Sequence, residues 1–118
     1  MARGYVEKDI YKTGLGTRNV AAIYAKNGYI TVAPDFSGYG ESDSEDENAL
    51  GARLVKPVEI LDLIASMQVK YDLPIYLWGH SNGGQIMLSV GEVIGRRKSV
   101  NPSTSESGVK GMTLWAPV

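Results

Sequence analysis

The sequence contains no cysteine, so disulfide bonds and thiolate metal sites are both excluded. The absence of cysteine weakly favours a location in a reducing compartment such as the cytoplasm. No apolar run approaches the roughly 20 residues that a membrane-spanning helix needs, so we expect no membrane partner. Residues 1–5 also lack the apolar core of a signal peptide. The formal net charge is −1, which provides no basic surface for nucleic acid.

Acidic residues are concentrated in one short segment, residues 41–47. Five carboxylates fall within it: Glu41, Asp43, Glu45, Asp46 and Glu47. Such a cluster is either a metal-binding loop or a solvated loop. We expect the solvated loop and no metal, because runs of like charge are usually surface features.

The apolar pattern predicts three short strands. They span residues 29–33, 74–78 and 112–115, and none alternates cleanly between apolar and polar positions. Buried parallel strands have this character because helices cover both of their faces. A chain of 118 residues has room for one small domain.

Three helical patterns separate these strands. The first covers residues 18–27, with Thr17 as its N-cap and Gly28 just past its end. The second begins with Pro57 in its first turn and is apolar around most of its circumference, which predicts burial. The third covers residues 83–94 and stops at Gly95.

The remaining segment, residues 96–110, has no periodicity and is predicted to be a surface loop. Alternating helices and strands indicate an α/β fold with a parallel sheet and helices on both faces.

The strongest chemical signal lies between the second strand and the third helix. Gly79-His80-Ser81-Asn82-Gly83 has the G-x-S-x-G pattern of a nucleophile elbow, in the strand–turn–helix context that this motif requires. The tight turn strains the serine backbone and lifts its hydroxyl clear of the sheet. Side chains two residues before and after Ser81 would collide at this turn, which explains Gly79 and Gly83. Gly84 lets the helix start close to the strand. Ser81 is therefore the candidate nucleophile.

A second segment carries a family resemblance. Residues 28–42, GYITVAPDFSGYGES, resemble the fourth strand and following loop of α/β-hydrolases near the prolyl oligopeptidase and dienelactone hydrolase groups. In that family the elbow follows about 40 residues later, as Ser81 does here, and residues 112–118 look like the sixth strand. The resemblance implies a serine hydrolase that needs no cofactor. Asp35 and Ser42 are expected to brace the loop.

The resemblance also assigns an oxyanion loop. Arg3-Gly4-Tyr5 stands where the family commonly has His-Gly, so the backbone N–H groups of Tyr5 and Asn82 become the candidate oxyanion donors. A frayed N-terminus is the alternative. His80, the single histidine, is expected to pack locally beside the elbow, so it is not the base of a triad.

The family's remaining parts have no counterpart in these 118 residues. Its acid and histidine follow the seventh and eighth strands, and its third strand lies between the fourth and the fifth. We therefore expect a partial α/β-hydrolase domain over residues 1–118, with a vacant slot in the sheet between residues 29–33 and 74–78. Such a chain would either self-associate or close the slot by pairing those two strands directly.

The functional expectation is hydrolysis of a peptide or ester bond through an acyl-enzyme on Ser81 in a longer protein. The first alternative is a non-catalytic α/β-hydrolase-like binding or scaffolding module, which the missing triad histidine favours. The second is a Rossmann-like nucleotide binder, suggested by Gly14 and Gly16 before a helix. No strand precedes that pair and the G-x-G-x-x-G spacing fails, which argues against it.

Overall fold

The computed structural model describes residues 1–100 and 108–118 and is an α/β domain. Its elements, in chain order, are α1 (Arg18–Lys26), α2 (Ala49–Lys70), β1 (Ile75–His80), α3 (Asn82–Val100) and β2 (Val109–Trp115). The two strands pair in parallel, with Leu77 opposite Met112 and His80 opposite Trp115. Because parallel neighbours need a crossover, α3 provides the connection between them.

The first helix matches the sequence prediction closely. α1 begins after Thr17, although the Thr17 side chain makes no capping bond to the helix and its hydroxyl donates instead to the Gly14 carbonyl at 3.3 Å. Gly28 follows the helix at a φ of 88°, a conformation that favours glycine. Gly14 and Gly16 also have positive φ in the turn before α1. No strand of the described chain precedes that turn, so the Rossmann-like interpretation gains no support.

The second helix begins earlier than predicted. α2 starts at Ala49 because the Asn48 side chain accepts hydrogen bonds from the backbone N–H groups of Leu50 at 2.9 Å and Gly51 at 3.2 Å. Pro57 lies inside the helix, so the prediction that it marks the first turn is wrong.

The predicted burial of this helix is also wrong for most of its surface. Its buried residues are Ala52, Ile60 and Ile64. Leu54 is 63% exposed and Val69 is 92% exposed. These side chains have the apolar character of a packed face, but no other element of the described structure covers them.

The third helix is longer than its pattern suggested. α3 continues through Gly95 to Val100, so residues 96–100 are helical instead of forming a loop. Residues 109–110 belong to β2, residue 108 forms a bend before it, and residues 101–107 lie outside the described residues.

Two of the three predicted strands form. β1 and β2 include most of residues 74–78 and all of residues 112–115. Residues 29–33 are not a strand, and this prediction is wrong. A strand exists through its pairing with a neighbour, and beside this stretch the structure has only the first residues of the chain, where the Met1 amino group donates to the Val32 carbonyl at 2.7 Å.

The N-terminal residues occupy a strand position beside β1. Ala2 forms a parallel bridge with Gly79, since its N–H donates to the Trp78 carbonyl at 2.8 Å and its carbonyl accepts from the His80 N–H at 3.2 Å. Ala2 is fully buried. Beyond this contact residues 29–32 and β1 stay apart, so they do not pair directly and the predicted slot remains open.

The apolar core lies where α2 and α3 pack with β1. Its most buried large side chains are Ile60, Met87 and Val90. Phe36 and Tyr39, which belong to the loop after residues 29–33, extend this core. Among the described helices, none is both long and apolar enough to span a membrane.

Candidate active site

Ser81 sits on the turn that joins β1 to α3. Its φ is 52°, in the left-handed region that non-glycine residues rarely adopt. The turn is held from both sides: the Ser81 N–H donates to the Trp115 carbonyl at 3.0 Å, and the Ser81 carbonyl accepts from the Gly84 N–H at 2.8 Å. Such strain is maintained only where the surroundings fix it, and it is frequent at functional sites.

Three glycines make this turn sterically feasible. A Cβ on Gly79 would lie 2.6 Å from the Gly83 carbonyl oxygen, and one on Gly84 would lie 2.9 Å from Pro117 Cβ. A Cβ on Gly83 would overlap the carbonyl oxygens of Ala2 and Arg3. The glycines therefore allow α3 to start against β1, against the segment after β2 and against the N-terminal residues.

The Arg3-Gly4-Tyr5 segment packs beside the elbow. The Cβ position of Gly4 is 3.2 Å from Ser81 Cβ and 3.3 Å from His80 Nδ1. Ala2 is buried and Arg3 is only 6% exposed, so the N-terminus is packed here and the alternative of a frayed N-terminus is wrong. Tyr5 follows at the next position and is 71% exposed.

An aromatic cage fixes Arg3. The guanidinium carbon lies 4.1 Å from the ring centre of Tyr39 and 4.6 Å from that of Tyr11, both at cation–π distance. The Tyr39 hydroxyl donates to the Val6 carbonyl at 2.8 Å, and Arg3 Nη1 donates to the Gly4 carbonyl at 2.9 Å. The cage thus holds residues 3–6 against the elbow. Sequence reasoning missed it, since Arg3 stood out only as a departure from the family's histidine.

Asp35 and Ser42 brace the neighbouring loop, as predicted. The Asp35 carboxylate accepts from the Tyr11 hydroxyl and, at 2.9 Å, from the Thr13 hydroxyl, while the Ser42 hydroxyl donates to the Asp35 carbonyl. Burial and the hydrogen bond to Asp35 raise the pKa of Tyr11. These contacts tie residues 11–13 to the loop and so support the cage around Arg3.

His80 packs against aromatic rings. Its ring centre is 4.8 Å from that of Trp115 and 6.4 Å from that of Trp78. Within residues 1–100 and 108–118, the Ser81 hydroxyl has no hydrogen-bond partner, His80 included. A general base for Ser81 is therefore not assembled by the described residues.

The acidic segment forms ion pairs. Glu45 bridges Lys8 at 2.6 Å and Lys56 at 3.0 Å, and the hydrogen bond from Lys8 contributes most to lowering its pKa. Asp46 accepts from the Asn48 N–H at 2.7 Å, beside the start of α2. Across the described residues, no group of three or more potential ligands could hold a metal ion.

Comparison with known proteins yields no relatives: no protein-family model, no curated protein and no solved structure matches this chain. Any function therefore has to be argued from the elbow and its surroundings.

Proposed function

We propose that this chain carries the nucleophile of a serine hydrolase of the α/β-hydrolase type, acting on a peptide or ester carbonyl. The observation behind the proposal is Ser81 at a φ of 52° between a parallel strand and a helix, with glycines at the positions where side chains would clash. The residues 28–42 that resemble the prolyl oligopeptidase and dienelactone hydrolase groups support the same interpretation.

The chemistry proceeds by acyl transfer. Ser81 Oγ attacks the substrate carbonyl carbon, the hydroxyl proton passes to a general base, and the leaving group departs to give an acyl-enzyme that water hydrolyses. The developing oxyanion lies at the N-terminus of α3, where the Asn82 N–H is the first donor and the Tyr5 N–H the second. No metal or organic cofactor takes part.

The general base and its acidic partner lie outside this chain in our proposal. His80 is the single histidine, and its ring packs against Trp115. Without a base a serine hydroxyl is a weak nucleophile at neutral pH. We therefore expect the isolated chain to show no hydrolysis above background, and a longer polypeptide that supplies the aspartate and histidine to lose turnover on Ser81→Ala.

Covalent labelling tests the nucleophile in the isolated chain. A fluorophosphonate reacts when a serine oxygen bonds to phosphorus and fluoride leaves, while added imidazole accepts the proton. We expect imidazole to accelerate adduct formation at Ser81, located by peptide mass spectrometry, and Ser81→Ala to abolish it.

Ser89 provides the matched control. It lies on α3, where its hydroxyl donates to the Gln85 carbonyl at 3.3 Å. Ser89→Ala should leave the labelling at Ser81 unchanged. Labelling that is equally slow at Ser81 and Ser89, with or without imidazole, would contradict the proposal.

The second candidate is a non-catalytic binding module. It is favoured by the Ser81 hydroxyl having no hydrogen-bond partner among the described residues. A longer polypeptide that labels at Ser81 but never turns over esters or peptides would support this candidate over the hydrolase.

A further inference from the structure

Arg3 is a buried cation that lacks a counter-ion in the described part of the chain. The residue is 6% exposed, and the ion pairs of the described residues do not include it. Its Nε and Nη2 atoms are buried and have no hydrogen-bond partner among these residues. Burying a charge without an ion pair is costly, and the two tyrosine rings of the cage offset part of this cost. Packing alone does not account for a guanidinium here, because an uncharged side chain would fill the space at lower cost.

The hydrogen bond that the Arg3 side chain does donate ends on a backbone carbonyl. Nη1 lies 2.9 Å from the Gly4 carbonyl oxygen. This carbonyl and the Tyr5 N–H belong to the same planar peptide group, so a bond at the oxygen also fixes the direction of the N–H. A charged donor at the oxygen draws electron density from the nitrogen, which makes the Tyr5 N–H a stronger donor.

The Tyr5 N–H is available to a ligand beside Ser81. It has no hydrogen-bond partner within residues 1–100 and 108–118, and Tyr5 is 71% exposed. The peptide group starts at Gly4, whose Cβ position is 3.2 Å from Ser81 Cβ. An unpartnered donor next to the candidate nucleophile suits an oxygen atom that gains negative charge.

We propose that Arg3 is a positioning residue for the reaction at Ser81. It holds the plane of the peptide group between Gly4 and Tyr5 and polarises it, so that the Tyr5 N–H stabilises the oxyanion formed from the substrate carbonyl. This inference rests on the proposed serine hydrolase function. The rings of the cage are uncharged, so they hold the guanidinium in place without neutralising it.

Base-catalysed hydrogen exchange of the Tyr5 amide tests the polarisation without a substrate. Loss of the amide proton places negative charge on the Gly4 oxygen, which Arg3 stabilises directly. Arg3→Met removes the charge, so it should slow this exchange roughly tenfold, the effect of one charge-assisted hydrogen bond. Arg18→Met is the matched control, because Arg18 Nη2 donates at 2.9 Å to a different backbone carbonyl, that of Thr13. It should leave Tyr5 exchange unchanged.

A purely structural role for Arg3 predicts the opposite direction. If the side chain only packs the N-terminal segment, Arg3→Met loosens that segment and Tyr5 exchanges as fast as before or faster, which would overturn the proposal. The wild-type chain gives a test that does not depend on the variant folding. Its Tyr5 amide should exchange faster than in an unstructured peptide of residues 1–10, which solvent access alone cannot produce, and a slower rate would overturn the proposal.

Labelling of Ser81 by a fluorophosphonate, with imidazole as the proton acceptor, separates this role from the hydrolase function. As the serine oxygen bonds to phosphorus and fluoride leaves, the phosphonyl oxygen gains negative charge. Arg3→Met should therefore slow labelling roughly tenfold, and Arg18→Met should not. Equal labelling of wild type and Arg3→Met would refute the positioning role alone. Slower Tyr5 exchange in Arg3→Met without labelling of wild-type Ser81 would refute the hydrolase function, and the positioning role with it.

Discussion

Gly83→Ala tests whether the elbow and the N-terminal segment depend on each other. The new Cβ would overlap the Ala2 and Arg3 carbonyl oxygens and lie 2.5 Å from the Ala2 carbonyl carbon. These are backbone atoms, which cannot swing aside as a flexible side chain can. We therefore expect Ala2 to move off β1.

The free-energy cost of this movement comes from the hydrogen bonds that would break. Two of them join Ala2 to β1, one to the Trp78 carbonyl and one from the His80 N–H. At about 1 kcal/mol each, their loss is worth about 2 kcal/mol, or roughly a 30-fold change in the local opening equilibrium. Exposure of the buried Ala2 side chain adds to this.

Gly95→Ala is the matched control in the same helix. Nothing lies within 4 Å of its Cβ position, so the substitution meets open space. Alanine is favoured over glycine in a helix interior by about 1 kcal/mol, so Gly95→Ala should stabilise α3 slightly. The same propensity gain applies to Gly83→Ala, and the backbone overlap should outweigh it.

Residue-resolved hydrogen exchange measures both effects. The His80 amide bonds to Ala2, whereas the Ser81 amide bonds to Trp115 and serves as an internal reference. In Gly83→Ala the His80 amide should exchange roughly 30-fold faster, in proportion to a loss of about 2 kcal/mol, and in Gly95→Ala it should not. If the His80 amide in Gly83→Ala exchanges as slowly as in the wild-type chain, this account of the elbow is refuted.

Two further predictions concern charge. The Met1 amino group has a folded pKa of about 6 against an ordinary 8.0, so the unfolded chain binds more protons between these values and stability should rise from pH 6 to pH 8, by about 2–3 kcal/mol at most. N-terminal acetylation, with retention of Met1 verified by mass, should flatten this part of the pH profile of urea unfolding. Glu45→Gln removes the bridge to Lys8 and Lys56, so it should lower the urea midpoint at pH 7. Because the pKa of Glu45 is lowered, this difference should vanish as the pH falls below the ordinary glutamate value of 4.5 and Glu45 becomes protonated, and 1 M salt should reduce it. A difference that stays unchanged on acidification until the chain unfolds would contradict the assignment.

The elbow was predictable because its signal is local. A strand, a one-residue reversal and a helix follow one another over residues 75–100, and the positions of the glycines reflect the steric requirement directly. The structure places Ser81 and its glycines where the motif expects them. The start of α2 also has a local signal, since Asn48 is a strong N-cap, although Pro57 further along suits a first-turn position as well.

Other features depend on distant parts of the chain. The contact between Arg3 and Tyr39 could not be predicted from the residues near Arg3 in sequence. This cation–π contact joins residues 36 positions apart and forms only when the loop folds over the N-terminus. The exposed apolar side chains of α2 are a similar case. Their pattern describes a face built for packing, whereas burial depends on which neighbours are present.

The sequence by itself determined the strand–helix–strand order from β1 to β2, the turn at Ser81 and the glycines around it, since each is encoded in residues that are neighbours along the chain. The tertiary structure decided that residues 29–33, despite their strong β-propensity, do not become a strand. Strand formation requires hydrogen-bonding partners on a neighbouring backbone, and here the neighbour is limited to the first residues of the chain. Propensity is a local property, whereas pairing belongs to the assembled sheet.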